Sequence, residues 1–261
     1  MIDLNYINSY YPSQITSNAA FQKHIVKEYI QLMVLDYLAT TPYICRLSFI
    51  GGTNLRLIKG IDRFSEDLDF DCKDMTETDF RQMTDDVVNF LKREGLNVET
   101  RDKENPKLTA FRRNIYFPEF LFGLGLTGHR DERFLLKIEA QDQNVTYPTE
   151  MHPIQRCGFF FSLPTPPDSV LLSMKLSALI ARAKGRDFYD CMFLMQMTKP
   201  SYEFLSQRLG ITSPNQLKSV LLEKLGTVDL NVKKRDFEHL LFNIRSSDRI
   251  LQFREYLDSA L

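Results

Sequence analysis

The chain has 261 residues, with 33 Lys and Arg against 34 Asp and Glu, a formal net charge of −1, and 43% hydrophobic residues. That length holds one large domain or two small ones, and the mix is that of a folded globular protein rather than a disordered chain. The near-zero balance excludes an overall basic coat for nonspecific DNA binding, although it leaves a local basic patch open.

In chain order, the N-terminal stretch MIDLNYINSYYPSQ has neither the basic nor the apolar region of a signal peptide. Residues 17–40 carry Ile25, Tyr29, Leu32, Leu35 and Leu38 at helical spacing, with Ser17 or Thr16 as N-cap and Pro42 as the stop. A β-like run at 44–50 ends in Gly51-Gly52, and a short helix over 53–59 is closed by Gly60. Residues 63–72 alternate: Phe64, Glu66, Leu68, Phe70 and Cys72 take one side, and Ser65, Asp67, Asp69 and Asp71 the other. An amphipathic helix is expected over 77–94, then strands at 96–101, 108–117, 120–127, 133–141 and 156–163. Beyond Pro164, Pro166 and Pro167 the pattern turns helical, near 168–183, 187–197, 201–209, 214–225, 233–243 and 248–259. This is an α+β arrangement with a mixed sheet in a core over 1–163 and a helical C-terminal lobe over 164–261.

No apolar run approaches ~18 residues, so no membrane span is expected. The cysteines, Cys45, Cys72, Cys157 and Cys191, lack any CxxC or nearby histidine at ligand spacing. Reduced, mostly buried thiols of a cytoplasmic protein are therefore expected, with neither a disulfide framework nor a zinc ribbon. His24, His129, His152 and His239 show no HxH or HxxxH spacing, which argues against a histidine metal centre.

The 63–71 strand is the informative segment. Alternation sets Asp67 and Asp69 on one face, where two like charges repel unless a cation neutralises them; a divalent metal does this, and a solvated acidic edge is the bland alternative. Fourteen residues before Asp67, Gly51, Gly52 and Thr53 stand at a strand–helix junction, where glycines let a phosphate approach the backbone and Thr53 adds a hydroxyl. A tight turn would explain the glycines equally. Glu139 offers a third carboxylate on another alternating strand, sharing its face with Leu135 and Lys137. On the helix near 168–183, Lys175 and Arg182 lie seven residues apart, hence on one stripe suited to triphosphate or RNA backbone. Gly185 ends that helix, and Asp187 is read as an N-cap or a partner of Arg186. Asp190 could pair with Arg182 or Arg186.

The segment GGTNLRLIKGIDRFSEDLDFD, the strand LLKIEA and the block MKLSALIARAKGRDFYD together resemble the AbiEii-type nucleotidyltransferase toxins, over roughly residues 23–195. Many members have Lys before the Gly-Gly, where this chain has Ile50. The resemblance implies a DNA polymerase beta-like nucleotidyltransferase core and an NTP-dependent enzyme using two Mg²⁺ ions, or Mn²⁺ in their place. It implies metal ligands Asp67, Asp69 and Glu139, with Lys175, Asp187 and Asp190 also catalytic. The triphosphate would meet Gly51, Gly52, Thr53, Arg63, Ser65, Lys175, Arg182 and Arg186. Arg56 and Arg63 are candidates to pair with Asp67 or Glu66 or to contact phosphate, and Asp71 is read as a solvated strand end. The implied acceptor is the 3′ end of tRNA, whose extension would block translation in a toxin–antitoxin or phage-defence setting. AMP transfer to a protein hydroxyl and a non-catalytic nucleotide sensor are the alternatives. A monomer with an antitoxin encoded alongside is expected.

Charge is unevenly spread. Residues 1–150 carry 18 basic and 23 acidic residues, and 151–261 carry 15 and 11. Eight of the acids crowd into 62–79, around the proposed metal strand.

Overall fold

The computed structural model describes residues 2–102 and 110–260, so positions 108 and 109 of the expected 108–117 strand lie outside the described residues. Two short helices, α1 (Leu4–Asn8) and α2 (Ser13–Thr16), precede the long α3 (Ala19–Ala39). The cap of α3 is Asn18, not Ser17 or Thr16, because its side chain accepts from the Ala20 N–H while Ser17 closes α2. Ile25, Val26, Ile30, Leu32, Val34, Leu35 and Leu38 are buried along α3. Apolar residues thus surround the helix, as expected of one enclosed by the core. Each such side chain is worth about 1.5–3 kcal/mol.

Pro42–Arg46 forms a 3₁₀ turn, so the expected 44–50 strand shrinks to β1 (Leu47–Ile50). The next helix starts earlier than 53. It begins as α4 (Gly51–Asn54), widens into a π-type turn over Leu55–Lys59, and ends at Gly60 in the left-handed region. Strand β2 (Asp67–Cys72) begins four residues later than expected, because Arg63 leaves the sheet to bridge Leu241. Helix α5 (Glu77–Arg93) opens with a capping box between Thr76 and Asp79.

The strands β3 (Glu99–Thr100) and β4 (Phe111–Tyr116) follow. The expected strand at 120–127 is instead a helical turn, α6 (Phe120–Gly123). Glu119 at φ +52 turns the chain into it, and Phe120 packs against Phe117 and Phe134 with ring centroids 5.5 and 5.0 Å apart. After β5 (Leu135–Gln141) comes a hairpin of β6 (Glu150–Arg156) and β7 (Phe159–Thr165). The expected 156–163 strand straddled the turn of this hairpin, Cys157-Gly158, where both residues have positive φ. Pro153 and Pro164 sit in the paired strands and concealed them, since proline is a poor sheet-interior residue.

Among the described residues, a five-stranded mixed sheet runs β1-β2-β5-β4-β3, with β2 and β5 parallel and the other neighbours antiparallel. Phe49, Leu68, Phe70, Leu136, Ile138 and Ala140 line its buried face. Helical segments fill the rest: α7 (Asp168–Arg182), α8 (Gly185–Met195), α9 (Tyr202–Leu209), α10 (Pro214–Gly226), α11 (Leu230–Arg235) and α12 (Phe253–Ala260). The expected helix at 233–243 resolves into α11 and a 3₁₀ turn over Glu238–Leu240, and that at 248–259 into a 3₁₀ segment, Ile244–Gln252, followed by α12.

The chain forms two compact units. One comprises Met1–Gly60, Phe64–Asp142 and Glu150–Thr165; the other comprises Ile61–Arg63, Gln143–Thr149 and Pro166–Leu261. No described helix is long and apolar enough to cross a membrane.

Candidate active site

In the first unit, β2 and β5 lie side by side, and their register sets Asp67 opposite Lys137 and Asp69 opposite Glu139. Leu68, Phe70, Ile138 and Ala140 alternate with these residues and are buried. Period-two geometry therefore brings Asp67, Asp69 and Glu139 onto one partly exposed face. Parallel pairing places neighbouring side chains about 5 Å apart, close enough for three carboxylates to repel strongly without cations.

Two cations answer that charge. Lys137 Nζ lies 3.2 Å from Asp67 Oδ2 and 3.8 Å from Glu139 Oε1, and Arg112 Nε donates to Glu139 Oε1 at 2.8 Å. Arg112 faces Glu139 across the β4–β5 register. Lys27, from α3, reaches Glu66 at 3.8 Å and lies over the Phe134 ring. Burial lowers its pKa, and the charges of Glu66 and Asp67 pull the other way. Lys27 and Arg112 had no sequence signal of their own: one sits on a helix read as core, the other on a strand of unknown register. As the side chains stand, no three His, Cys, Asp or Glu residues among those described converge into a metal cage. The donor chemistry nevertheless fits a hard divalent ion: three carboxylates on a part-exposed face, balanced by cations that an incoming ion could replace.

Gly51 closes one side of this face. It has φ +81, and a Cβ there would lie 2.1 Å from Asp69 Oδ2, so only glycine lets the turn come this close to the carboxylate. Thr53 is fully buried and its hydroxyl donates to the Asp67 backbone carbonyl. That oxygen is committed to tying α4 to β2 rather than to a phosphate. Gly52 is buried as well. Ser65 precedes β2, is buried, and its carbonyl accepts from Gln31 Nε2 at 3.2 Å.

Several expected pairings are replaced by others. Arg56 is buried and grips Glu28 through Nε at 2.7 Å, so it pairs with neither Asp67 nor Glu66. Asp71 is not a solvated strand end; it is 1% exposed, with Lys73 Nζ at 3.6 Å.

The second unit holds the remaining candidates. Arg63 is 1% exposed and clamps Asp190 through two bonds, Nε to Oδ1 at 2.8 Å and Nη2 to Oδ2 at 2.7 Å. Lys175 Nζ donates to the same carboxylate at 2.8 Å. Both cations are committed to a buried acid, which corrects Arg63 as a partner of Asp67 or Glu66 and Asp190 as a partner of Arg182 or Arg186. Burial alone would raise the Asp190 carboxyl, but Arg63 and then Lys175 outweigh it and hold it down at about 2. Arg182 forks onto Asp187 at 3.0 and 2.8 Å. Asp187 is not the cap of α8. It sits three residues inside and accepts the Lys184 N–H at 3.1 Å, and its side-chain partner is Arg182 rather than Arg186. Arg186 is half-buried and forms no ion pair among the described residues. Lys175 and Arg182 do share one helix, as their spacing required, but each meets an acid from α8.

Solved structures share this fold. MenT4, a nucleotidyltransferase toxin from Mycobacterium tuberculosis H37Rv, superposes with a TM-score of 0.62 at 16% identity, covering 99% of this chain and 90% of its own. JHP933 from Helicobacter pylori gives 0.51 at 21% identity, with 91% of each chain covered. A structure described as a putative nucleotidyltransferase, also from H. pylori, gives 0.52 at 21%, with 96% of each covered. None of the curated proteins matches the sequence. The pattern described as "Nucleotidyl transferase AbiEii toxin, Type IV TA system" matches residues 34–255, which spans β1, β2, β5 and both units, and the chain therefore belongs to the AbiEii family of nucleotidyltransferase toxins of type IV toxin–antitoxin systems.

Proposed function

We propose that this chain transfers a nucleoside monophosphate from an NTP to the 3′-terminal hydroxyl of tRNA and so blocks translation. The observation that carries the reading is the carboxylate face of β2 and β5, with Asp69 in register with Glu139 and the Gly51 turn so close that a Cβ there would lie 2.1 Å from Asp69 Oδ2. Asp67, Asp69 and Glu139 would hold Mg²⁺, or Mn²⁺ in its place. Bound there, the metal would offset triphosphate charge and lower the pKa of the acceptor hydroxyl.

The chain's own groups do the rest. The glycine turn would offer its backbone N–H groups to a phosphate. Lys137 and Arg112 hold the carboxylates and are placed to meet phosphate oxygens when those acids are otherwise engaged. In the transfer a bond forms between the acceptor oxygen and the α-phosphorus as the bond to pyrophosphate breaks. Positioning and charge neutralisation account for the acceleration without a covalent enzyme intermediate. A cognate antitoxin would restrain the activity, and a monomer would suffice for it.

The purified chain is incubated with each α-³²P-labelled NTP, Mg²⁺ and total tRNA, beside Asp67→Asn and Glu139→Gln variants. Wild type should label tRNA and release pyrophosphate, and the variants should lose at least a hundredfold. Label on protein bands alone would replace tRNA with a protein hydroxyl as acceptor. No wild-type label on tRNA or on protein would leave a nucleotide sensor.

A further inference from the structure

At the end of the β6–β7 hairpin, a cavity of about 620 Å³ is lined by Tyr10, Tyr11, Arg156, Cys157, Phe159 and Phe160 among others. That volume lies within the usual range for small-ligand sites. Tyr10, Tyr11, Phe159 and Phe160 make up half of its described lining, and the aromatics are not all core. Phe160 is 73% exposed and Tyr10 44%. Both rings are therefore reachable from solvent.

The charge behind the wall is uneven. Glu28 is fully buried and is shared by two guanidiniums, Arg56 at 2.7 Å and Arg156 at 3.5 Å. Tyr11 adds its hydroxyl to the same carboxylate at 2.9 Å. Of the two guanidiniums, Arg156 is the one that lines the cavity. Arg156 is fixed from behind, since its Nη1 also donates to the Arg56 carbonyl at 3.1 Å. No carboxylate belongs to the described lining. The turn that seats Arg156 against the tyrosines depends on Gly158, at φ +83, where a Cβ would strike the Tyr6 hydroxyl at 2.6 Å. Tyr6 in turn accepts the Tyr10 hydroxyl at 2.7 Å, which steadies the Tyr10 ring.

An anchored cation beside exposed aromatic faces, with no acid in the lining, matches one ligand chemistry: a phosphate joined to a planar base. We propose that this groove is a second nucleotide-binding site, in which an unpaired nucleotide of the acceptor RNA stacks on Phe160 or Tyr10 and places its phosphate on Arg156. The proposal rests on the RNA-acceptor reading above and adds a subsite remote in sequence from the carboxylates.

The test is binding rather than turnover. A short fluorescein-labelled single-stranded RNA is titrated, without divalent metal, against wild type, Phe160→Ser, Phe160→Trp, Arg156→Gln and Asp67→Asn, with circular dichroism confirming each fold. Phe160→Ser should weaken binding about tenfold and Phe160→Trp should restore it, as a stacking platform requires. Arg156→Gln should make log K against log salt shallower by about 0.7, the loss of one phosphate contact on a single strand. Phe160→Ser should cost the same tenfold when added to Asp67→Asn, so failure of catalysis and failure of this subsite are separable. Free AMP as competitor distinguishes a mononucleotide site, displaced at micromolar AMP, from an RNA subsite that yields only to RNA. Unchanged affinity and salt slope in Phe160→Ser and Arg156→Gln would overturn the proposal, as would wild type that binds no RNA.

Discussion

Replacing Asp190 by Asn removes the one negative charge that two buried cations share. The carboxylate takes three donated bonds, two from Arg63 at 2.8 and 2.7 Å and one from Lys175 at 2.8 Å. Asparagine keeps the shape and loses the charge, leaving a guanidinium and an ammonium close together in a buried setting. Breaking such a pair costs about 3–5 kcal/mol. A domain's whole stability is about 5–15 kcal/mol, so Asp190→Asn should shift the urea midpoint of the second unit's transition by a large fraction. The linked pH effect can be worked from the same contacts. The Asp190 carboxyl falls from 3.8 in the unfolded chain to about 2 in the fold. At about 1.4 kcal/mol per pKa unit this contributes on the order of 2 kcal/mol. Because the folded value is the lower one, the contribution is fully present above pH 4 and drains away as pH falls toward 2. Urea titrations at pH 7, 4 and 2.5, followed by far-UV circular dichroism, should show wild type losing about half of that increment between the last two and Asp190→Asn lacking the loss. A variant within about 1 kcal/mol of wild type at pH 7, or one with the same acid loss, would refute the buried-clamp reasoning.

Other substitutions separate the site from its scaffold. Gly51→Ala should lose nucleotide transfer almost completely and about 1–3 kcal/mol of stability, since both φ +81 and the Asp69 carboxylate oppose a Cβ. Gly60→Ala, at φ +78 but with open space around it, should cost about 1–2 kcal/mol in urea melts and leave transfer unchanged. Lys137→Met should raise Mn²⁺ affinity about two- to fivefold by electron paramagnetic resonance, because the ammonium that competes for Asp67 and Glu139 is worth about 0.2–1 kcal/mol at a part-exposed site; weaker Mn²⁺ binding would count against the carboxylate face as the metal site. Ellman's reagent should titrate one thiol quickly, Cys45, and the buried Cys72, Cys157 and Cys191 only after denaturation, with burial raising the thiol pKa of each of those three.

The parts of the fold that could be read in the sequence share a property: one local signal decided them. Strict alternation marked β2 and β5, and helical spacing with a clear stop marked α3 and α5, whereas α7 stops at left-handed Ala183 and Gly185, expected as its stop, opens α8. Where two signals competed, the reading failed. The apolar run at 120–127 carries no periodicity, so the choice of a helical turn fell to Glu119 and to ring packing against Phe134. Pro153 and Pro164 masked β6 and displaced β7, although edge-type pairing in a two-stranded ribbon tolerates proline. Register across β2, β5 and β4 is a long-range property. Asp67, Asp69 and Glu139 could be named from alternation, but Arg112 could not be placed on Glu139 until the strands were paired.

Net charge misled in a more instructive way. A basic excess after residue 150 does not by itself mean cations available to phosphate: Lys175 is bound to Asp190, Arg182 to Asp187, Lys218 to Asp258 and Lys234 to Asp248. The acidic crowd at 62–79 is equally spoken for. Asp62 takes the Tyr189 hydroxyl, Asp71 faces Lys73, Glu77 pairs with Arg81, and Asp79 accepts the Thr76 N–H in the capping box of α5 beside Arg46. What distinguishes the β2–β5 face is therefore not the number of acids but the kind of partner they have. Asp190 is held by an arginine and a lysine sealed from water, an arrangement costly to break. Asp67 and Glu139 are held by cations about a quarter to a third exposed, at distances up to 3.8 Å. Solvent screening makes such pairs cheap to exchange. A divalent ion or a triphosphate can compete for partners of the second kind far more readily than for those of the first.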